Sequence, residues 1–259
     1  MTSLADIQAL EERAFNAWPS RRTVLADGWL HRLGDGYTNR ANSVNACVPH
    51  PSFEGVLDMA ETLYPACGLS PVFRLTPLAP PGADATLGAA GYAFVSPTLV
   101  LTMPLAGQAT SEPPSACSVR VDAHPSDDWM EGFARLAGLS AAGALAHSAI
   151  VHAIAMPAGF ATVRLDGRAV GYGLAVAERG AVGLFDLVVS ASERRRGLGR
   201  VLIAALLDWG RAHGARRAYL QVAVANDGAL RLYDGLEFTE AYSYHYRVKP
   251  RSPGLAEGP

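Results

Sequence analysis

Between Leu184 and Gly210 the chain reads LFDLVVSASERRRGLGRVLIAALLDWG, and this run constrains the fold more than any other. A buried-type strand ends at Val189. A polar turn follows, then Arg194-Arg195-Arg196-Gly197-Leu198-Gly199. A helix comes next, with apolar Leu202, Ile203, Leu206 and Leu207 at helical spacing and Gly214 as its stop. A strand that enters a helix through glycines leaves the first helical amides unpaired and pointing outward. With the helix dipole these amides form an anion site. Gly197 and Gly199 let a ligand approach the backbone, and the arginines add charge-assisted hydrogen bonds. Such a joint suits a pyrophosphate. Leu202 stands where a dinucleotide fingerprint needs its third glycine, and no Gly-Lys-Ser/Thr occurs. Dinucleotide binding and Walker-type ATP hydrolysis are therefore disfavoured.

A second run, VAVANDGALRLYDGLEF, follows the next strand. Taken with Arg194-x-x-Gly197-x-Gly199, its residues Asn226, Ala229, Leu232, Tyr233 and Phe238 resemble the paired motifs of the GNAT superfamily of acetyl-CoA-dependent N-acetyltransferases. The resemblance covers about residues 117–248. It implies that the joint, Arg194, Arg195, Arg196, Gly197, Leu198, Gly199 and Arg200, binds the CoA pyrophosphate, chiefly through backbone amides. Leu187, Val188 and Val189 would meet the pantetheine or polarise the acetyl carbonyl. Asn226 would contact the pantetheine arm, and Tyr233 would sit beside the sulfur.

The implied chemistry is attack of a neutral amine on a thioester. An aimed N–H stabilises the oxyanion. A tyrosine hydroxyl, ordinarily near pKa 10 against about 8.5 for a thiol, can donate to the departing sulfur. Asp186 is the leading candidate to take the amine proton, or else it is a structural strand residue, since strand alternation can turn it to the opposite face. Tyr233 is alternatively a core anchor, and Asn226 also suits a helix N-cap. The family usually has glycine where Glu237 stands, so a different cap or local strain is expected there.

The expected architecture is mixed α/β (α+β), with two GNAT-like domains, each a mixed sheet flanked by helices. The Ala-, Ser- and Pro-rich segment at residues 106–116 reads as a linker between a first domain, 1–105, and a second, 117–249, with a tail at 250–259. In the second domain Ser126 caps a helix, and Asp166-Gly167 and Arg179-Gly180 signal hairpins. The first domain repeats the order weakly: a helix from Ala5 to Ala17, strands GWLHRLG and RANSVNACV, helix FEGVLDMAETLY, strand PVFRLTP, a short helix ending LGAAGY, and strand TLVLTMPL. Setting Gly91-Tyr92 beside Glu237-Phe238 aligns the two ends. The first domain has no Arg-x-x-Gly-x-Gly, and Leu87 falls where the second has Tyr233. It is expected not to bind CoA productively, and to be structural or to build one wall of the acceptor cleft. The polar run Arg40 to Asn45 either meets that cleft or faces water.

Charge and cysteines exclude other classes. A net charge of −2 calls for neither nucleic acid nor an anionic membrane. Three scattered cysteines without Cys-x-x-Cys disfavour a disulfide framework or zinc site and suit a reducing cytoplasm. No metal is expected. His147 and His152, five apart on one helix, read as structural, and His245 among tyrosines lines an acceptor site or packs the sheet. No run of about 18 apolar residues appears, so no membrane span is expected. The expected activity is acetyl transfer from acetyl-CoA to a small-molecule or peptide primary amine in a ternary complex. A non-catalytic acyl-CoA-binding regulatory module is the alternative, and a homodimer is possible.

Overall fold

The computed structural model describes residues 2–105 and 116–249. The tail, and the linker apart from Ala116, lie outside them. The first segment contains α1 (Leu4–Ala17), β1 (Arg22–Ala26), β2 (Trp29–Leu33), β3 (Val44–Ala46), α2 (Val56–Ala66), β4 (Val72–Leu75), α3 (Ala83–Ala89) and β5 (Ala93–Pro104). The second contains β6 (Cys117–Asp122), α4 (Asp127–Ala137), α5 (Ala141–His152), β7 (Ala158–Leu165), β8 (Arg168–Glu178), β9 (Ala181–Val189), α6 (Leu198–Ala212), β10 (Arg217–Ala223), α7 (Asp227–Asp234) and β11 (Thr239–Val248).

Local chemistry explains the boundaries. Ser126 accepts from the Trp129 amide at 3.2 Å and caps α4. Asp166-Gly167 and Arg179-Gly180 each place two successive residues at positive φ, the geometry that matches a hairpin to strand twist. Asp27-Gly28 does the same between β1 and β2, so β1, absent from the sequence expectation, carried the same signal. The expected strand from Arg40 is shorter than foreseen: Asn39–Ala41 form a 3₁₀ turn, and β3 spans only Val44–Ala46. Asn42 is the cause. Its side chain accepts from the Gly36 amide at 3.2 Å and donates to the Tyr37 and Thr38 carbonyls at 3.1 and 2.9 Å. These bonds hold the preceding chain in a loop.

All strands join one eleven-stranded sheet, ordered β1-β2-β3-β4-β11-β5-β10-β9-β8-β7-β6. The two segments repeat one topology. β2–β3 and β8–β9 pair antiparallel. β3–α2–β4 and β9–α6–β10 are parallel crossovers. The last strands are exchanged: β5 pairs with β10 of the other segment, β11 with β4, and both pair with each other. The sheet is therefore continuous, and neither repeat completes its own share of it.

α6 covers β7, β8 and β9 with Leu202, Ile203, Leu206 and Leu207, all buried. Each such side chain contributes about 1.5–3 kcal/mol, which anchors the start of α6 beside the end of β9. Glu11 of α1 forms a buried ion pair with Arg74 of β4, the second bond measuring 2.9 Å, and accepts from the Tyr242 hydroxyl of β11. Removing one partner would strand a buried charge at about 3–5 kcal/mol. No helix among the described residues is long and apolar enough to cross a membrane.

Candidate active site

β9 and β10 pair from Ala181↔Arg217 to Leu184↔Leu220 and then part. β10 continues against β5 as far as Ala223↔Thr98. β9 stays on β8 but slips register, with Leu174↔Phe185 followed by Tyr172↔Val188. Asp186 sits in this bulge at φ 51°. The bulge bends the strand and re-aims its side chains. A wedge therefore opens between the parallel strands, directly before the glycine joint. The Ser190 amide donates to Val170 on β8 at 2.8 Å, so alternation turns the Val189 amide into the wedge.

In the joint, Arg195 and Gly197 have φ 66° and 78°, and α6 begins at Leu198. The Val201 amide donates to the Gly197 carbonyl at 3.1 Å. Among the described residues, the amides from Arg195 to Arg200 donate to no carbonyl or side chain. Leu187, Val188, Val189, Arg194, Arg195, Gly197, Leu198, Gly199, Arg200 and Asn226 line one cavity of about 490 Å³. A Cβ on Gly199 would lie 3.1 Å from Leu232 Cδ2, so glycine lets α6 and α7 approach here.

The side chains divide the work. Arg194 and Arg195 are exposed and, among the described residues, have no ion-pair partner. Arg196 does not line the cavity: its guanidinium donates to Glu193 at 2.5 Å. Arg200 donates to the Gly235 carbonyl at 2.9 Å and ties the joint to the end of α7. Asn226 caps α7 by accepting from the Ala229 amide at 3.2 Å, and its amide N–H₂ makes no hydrogen bond among the described residues. Tyr233 is 7% exposed, packs on Phe238, and lies outside the lining of the cavity. Burial pushes its phenol up to about 12. Its hydroxyl makes no hydrogen bond among the described residues and is not sealed from solvent.

Asp186 meets a partner that sequence reasoning set aside as structural. Its Oδ2 lies 2.7 Å from Nε2 of His147 on α5, with side-chain exposures of 8% and 0%. His147 Nδ1 is buried without a partner among the described residues. A hydrogen on Nε2 satisfies the carboxylate and strands no buried donor. Trp18, Tyr37, Trp129 and Phe133 surround the imidazole. Burial pushes the Tyr37 phenol up to about 12, with Asp186 pushing the same way and Arg40 opposing. Tyr37 and Arg40 come from the first segment, so that segment packs against the residues around Asp186. The polar spacing from Arg40 to Asn45 was the only signal in the sequence.

Other candidates lie elsewhere. His152 is exposed and bonds the Ser148 carbonyl. His245 pairs with Asp84 of α3 at 2.6 Å and stacks on Phe94. Glu237 keeps the left-handed conformation at φ 64°, as Gly91 does at 83° in the first repeat. The equivalent amides of Phe238 and Tyr92 both bond back, to Tyr233 and Leu87, at 3.0 Å. Of the two outcomes expected at Glu237, the cap is kept and strain of about 1–2 kcal/mol is accepted. Among the described residues no cluster of three or more His, Cys, Asp or Glu could hold a metal.

A family model described as "Probable histone acetyltransferase Rv0428c C-terminal" matches residues 4–247. The chain belongs to this family. It is an acyltransferase with the GNAT fold. The uncharacterized N-acetyltransferase YobR of Bacillus subtilis is 28% identical over 245 residues, 94% of this chain and 99% of the relative. A [ribosomal protein bS18]-alanine N-acetyltransferase of Salmonella typhimurium is 40% identical over 58 residues, 22% of this chain and 39% of the relative. Among solved structures, a GCN5-related N-acetyltransferase from Kribbella flavida superposes with TM-score 0.73 at 22% identity, covering 97% of each chain. A tandem GNAT protein from the clavulanic acid biosynthesis pathway has TM-score 0.66 at 14% identity, covering 95% of this chain and 89% of that one. These two likenesses concern the fold, and the second shares the tandem plan.

Proposed function

We propose that this GNAT protein transfers an acetyl group from acetyl-CoA to a primary amine by direct attack in a ternary complex. The observation that carries the reading is the wedge between β9 and β10, which runs into a cavity rimmed by unpaired amides and two uncommitted arginines. The pyrophosphate would rest on the amides from Arg195 to Arg200, with Arg194 and Arg195 closing over it. The pantetheine would follow Leu187, Val188 and Val189, with Asn226 donating to it.

The amine nitrogen attacks the thioester carbon and a C–N bond forms. The Val189 amide faces the wedge and is aimed to hold the oxyanion. The C–S bond then breaks as the oxyanion collapses. Asp186, steadied by His147, takes the ammonium proton, and the Tyr233 hydroxyl protonates the sulfur. Solvent restores both groups. The second segment carries this chemistry, and the first supplies Tyr37 and Arg40 to the acceptor side.

The test is release of free thiol from acetyl-CoA with a panel of primary amines. A ribosomal-protein alanine appears in a relative's name, so small amines and peptides both belong in the panel. Amine-dependent thiol release is expected. Tight acetyl-CoA binding without turnover would favour a regulatory acyl-CoA-binding module instead. The observation on that side is Tyr233, which is buried and outside the cavity lining.

A further inference from the structure

Two opposite charges, Asp186 and Arg40, lie against one cluster of rings, Trp18, Tyr37, His147 and Phe185, and do not meet. Asp186 enters from the bulge of β9. Arg40 enters from the loop before β3, 146 positions earlier in the chain. Its guanidinium carbon lies 5.2 Å from the Trp18 ring and 5.8 Å from the Phe185 ring. Trp18 and Phe185 are themselves stacked at 6.1 Å, and Phe185 immediately precedes Asp186. Both charges act, in opposite senses, on the Tyr37 phenol. Tyr37 packs on His147, the partner of Asp186, and on Trp18, which the Arg40 guanidinium covers, and no ion pair joins Asp186 to Arg40 within 4 Å.

Arg40 is half-buried, and a desolvated guanidinium normally finds an anion. Among the described residues it has no ion-pair partner. The carboxylates that act together with Arg40 on the Tyr219 phenol are already engaged. Glu11 is held by Arg74 and Tyr242. Glu178 is held by Arg179 and Asn16. Asp186 is held by His147 through one oxygen, which leaves the other oxygen for a second donor. Ring faces offset only part of the lost hydration of a cation. The joint-side cavity is lined by Arg194, Arg195 and Arg200 but not by Arg40, so Arg40 does not serve the pyrophosphate.

The geometry points to an acceptor that is a zwitterion, an amine that also carries a carboxylate, with its ammonium at Asp186 and its carboxylate at Arg40. This deepens the acetyl-transfer reading and rests on it. Tyr37, which packs on His147 beside Asp186 and on Trp18 beneath Arg40, bonds the acceptor and fixes its direction. The pairing explains why the first segment inserts an arginine here, and it makes the acceptor site a joint product of both repeats. A free amino acid and an acidic peptide share the required chemistry. The acyl group of a dicarboxylic acyl-CoA could also supply a carboxylate, and the test separates that source.

Thiol release should be measured with acetyl-CoA and matched acceptors: free amino acids, their decarboxylated amines, and short peptides with and without an acidic residue. For the wild type we expect kcat/KM for carboxylate-bearing amines to exceed that of their decarboxylated partners by about 10- to 100-fold, the worth of one charge-assisted hydrogen bond. In Arg40→Gln that preference should collapse toward one through KM, and Arg40→Lys should restore part of it. Calorimetric binding of acetyl-CoA by each variant verifies its fold. Amino acids against acidic peptides identifies the source. Equal use of decarboxylated amines by the wild type would overturn the proposal, as would an equal loss on both classes in Arg40→Gln. An Arg40 effect seen only with succinyl-CoA as donor would move the carboxylate to the acyl group and overturn it as well. Thiol release from no amine at all, with acetyl-CoA still bound, would remove the transfer reading itself.

Discussion

The two strand-to-helix joints of this chain use one backbone device for opposite ends. β3 enters α2 and β9 enters α6 through a left-handed glycine, Gly55 at φ 73° and Gly197 at 78°. Both helices cross over to a parallel neighbour. In the first joint side chains fill the turn. Phe53 packs on Trp29 at 5.4 Å and on Phe73 at 6.0 Å. Trp29 donates to the Ser52 carbonyl at 2.7 Å, and the His50 amide donates to the Leu78 carbonyl at 2.8 Å, lacing the turn to the chain beyond β4. In the second joint Arg200 ties the turn to the Gly235 carbonyl and Arg168 reaches Glu193, but among the described residues no aromatic ring packs into the turn, which opens on the cavity at Arg194 and Arg195. A strand, a glycine and a helix N-terminus therefore do not suffice for a ligand site. What decides is whether the wedge is packed shut.

The largest expected effect breaks the second joint. Gly199→Trp projects an indole from a position whose Cβ already meets Leu232 at 3.1 Å, so acetyl-CoA affinity should fall by at least about 100-fold in calorimetry, or about 2.7 kcal/mol. Phe53→Ala opens the first joint. It should lower stability in denaturant titration by about 1–3 kcal/mol, less than for a core aromatic because Phe53 is half-buried, while the folded protein keeps its acetyl-CoA affinity. Binding of a second acetyl-CoA by that variant would show that Phe53 alone separates the two joints.

Tyr233→Phe asks whether the repeat that keeps tyrosine, where the other has Leu87, needs it for chemistry. Turnover should fall by about 100-fold with acetyl-CoA affinity unchanged, since only the proton for the leaving sulfur is lost. The pH dependence has a definite sign. Burial raises the folded phenol to about 12 above its ordinary value near 10. Its share of stability is therefore complete below pH 10 and is lost as pH rises toward 12. Tyr233→Phe should remove one group's share of that alkaline decline in thermal melts, since Tyr64, Tyr219 and Tyr242 are raised as well, and the Tyr233 phenol should stay protonated throughout the neutral range, as the proposed proton donor must. The smallest effect lies at the equivalent caps. Glu237→Gly should raise stability by about 1 kcal/mol, and Gly91→Glu should lower it by a similar amount, because each φ is left-handed.

Much of the second joint was legible from sequence because its signals are local. Glycine spacing, the arginine run, the Asn226 cap and the hairpin pairs at Asp166 and Arg179 act within a few residues of themselves. The exchange of β5 and β11 was not legible. Both are alternating strands, and nothing within either one chooses a partner more than 100 residues away. His147 and Asp186 are 39 positions apart and meet only because the bulge redirects Asp186. Arg40 and Tyr37 were hidden for a related reason. Asn42 holds their loop with side-chain bonds, where a propensity reading sees only a polar strand.

The central claim is one open joint and one closed joint in a single chain. Titration calorimetry with acetyl-CoA tests it most directly. One equivalent should bind per wild-type chain, and that heat should vanish in Gly199→Trp. Two equivalents per chain, or undiminished binding in Gly199→Trp, would contradict it.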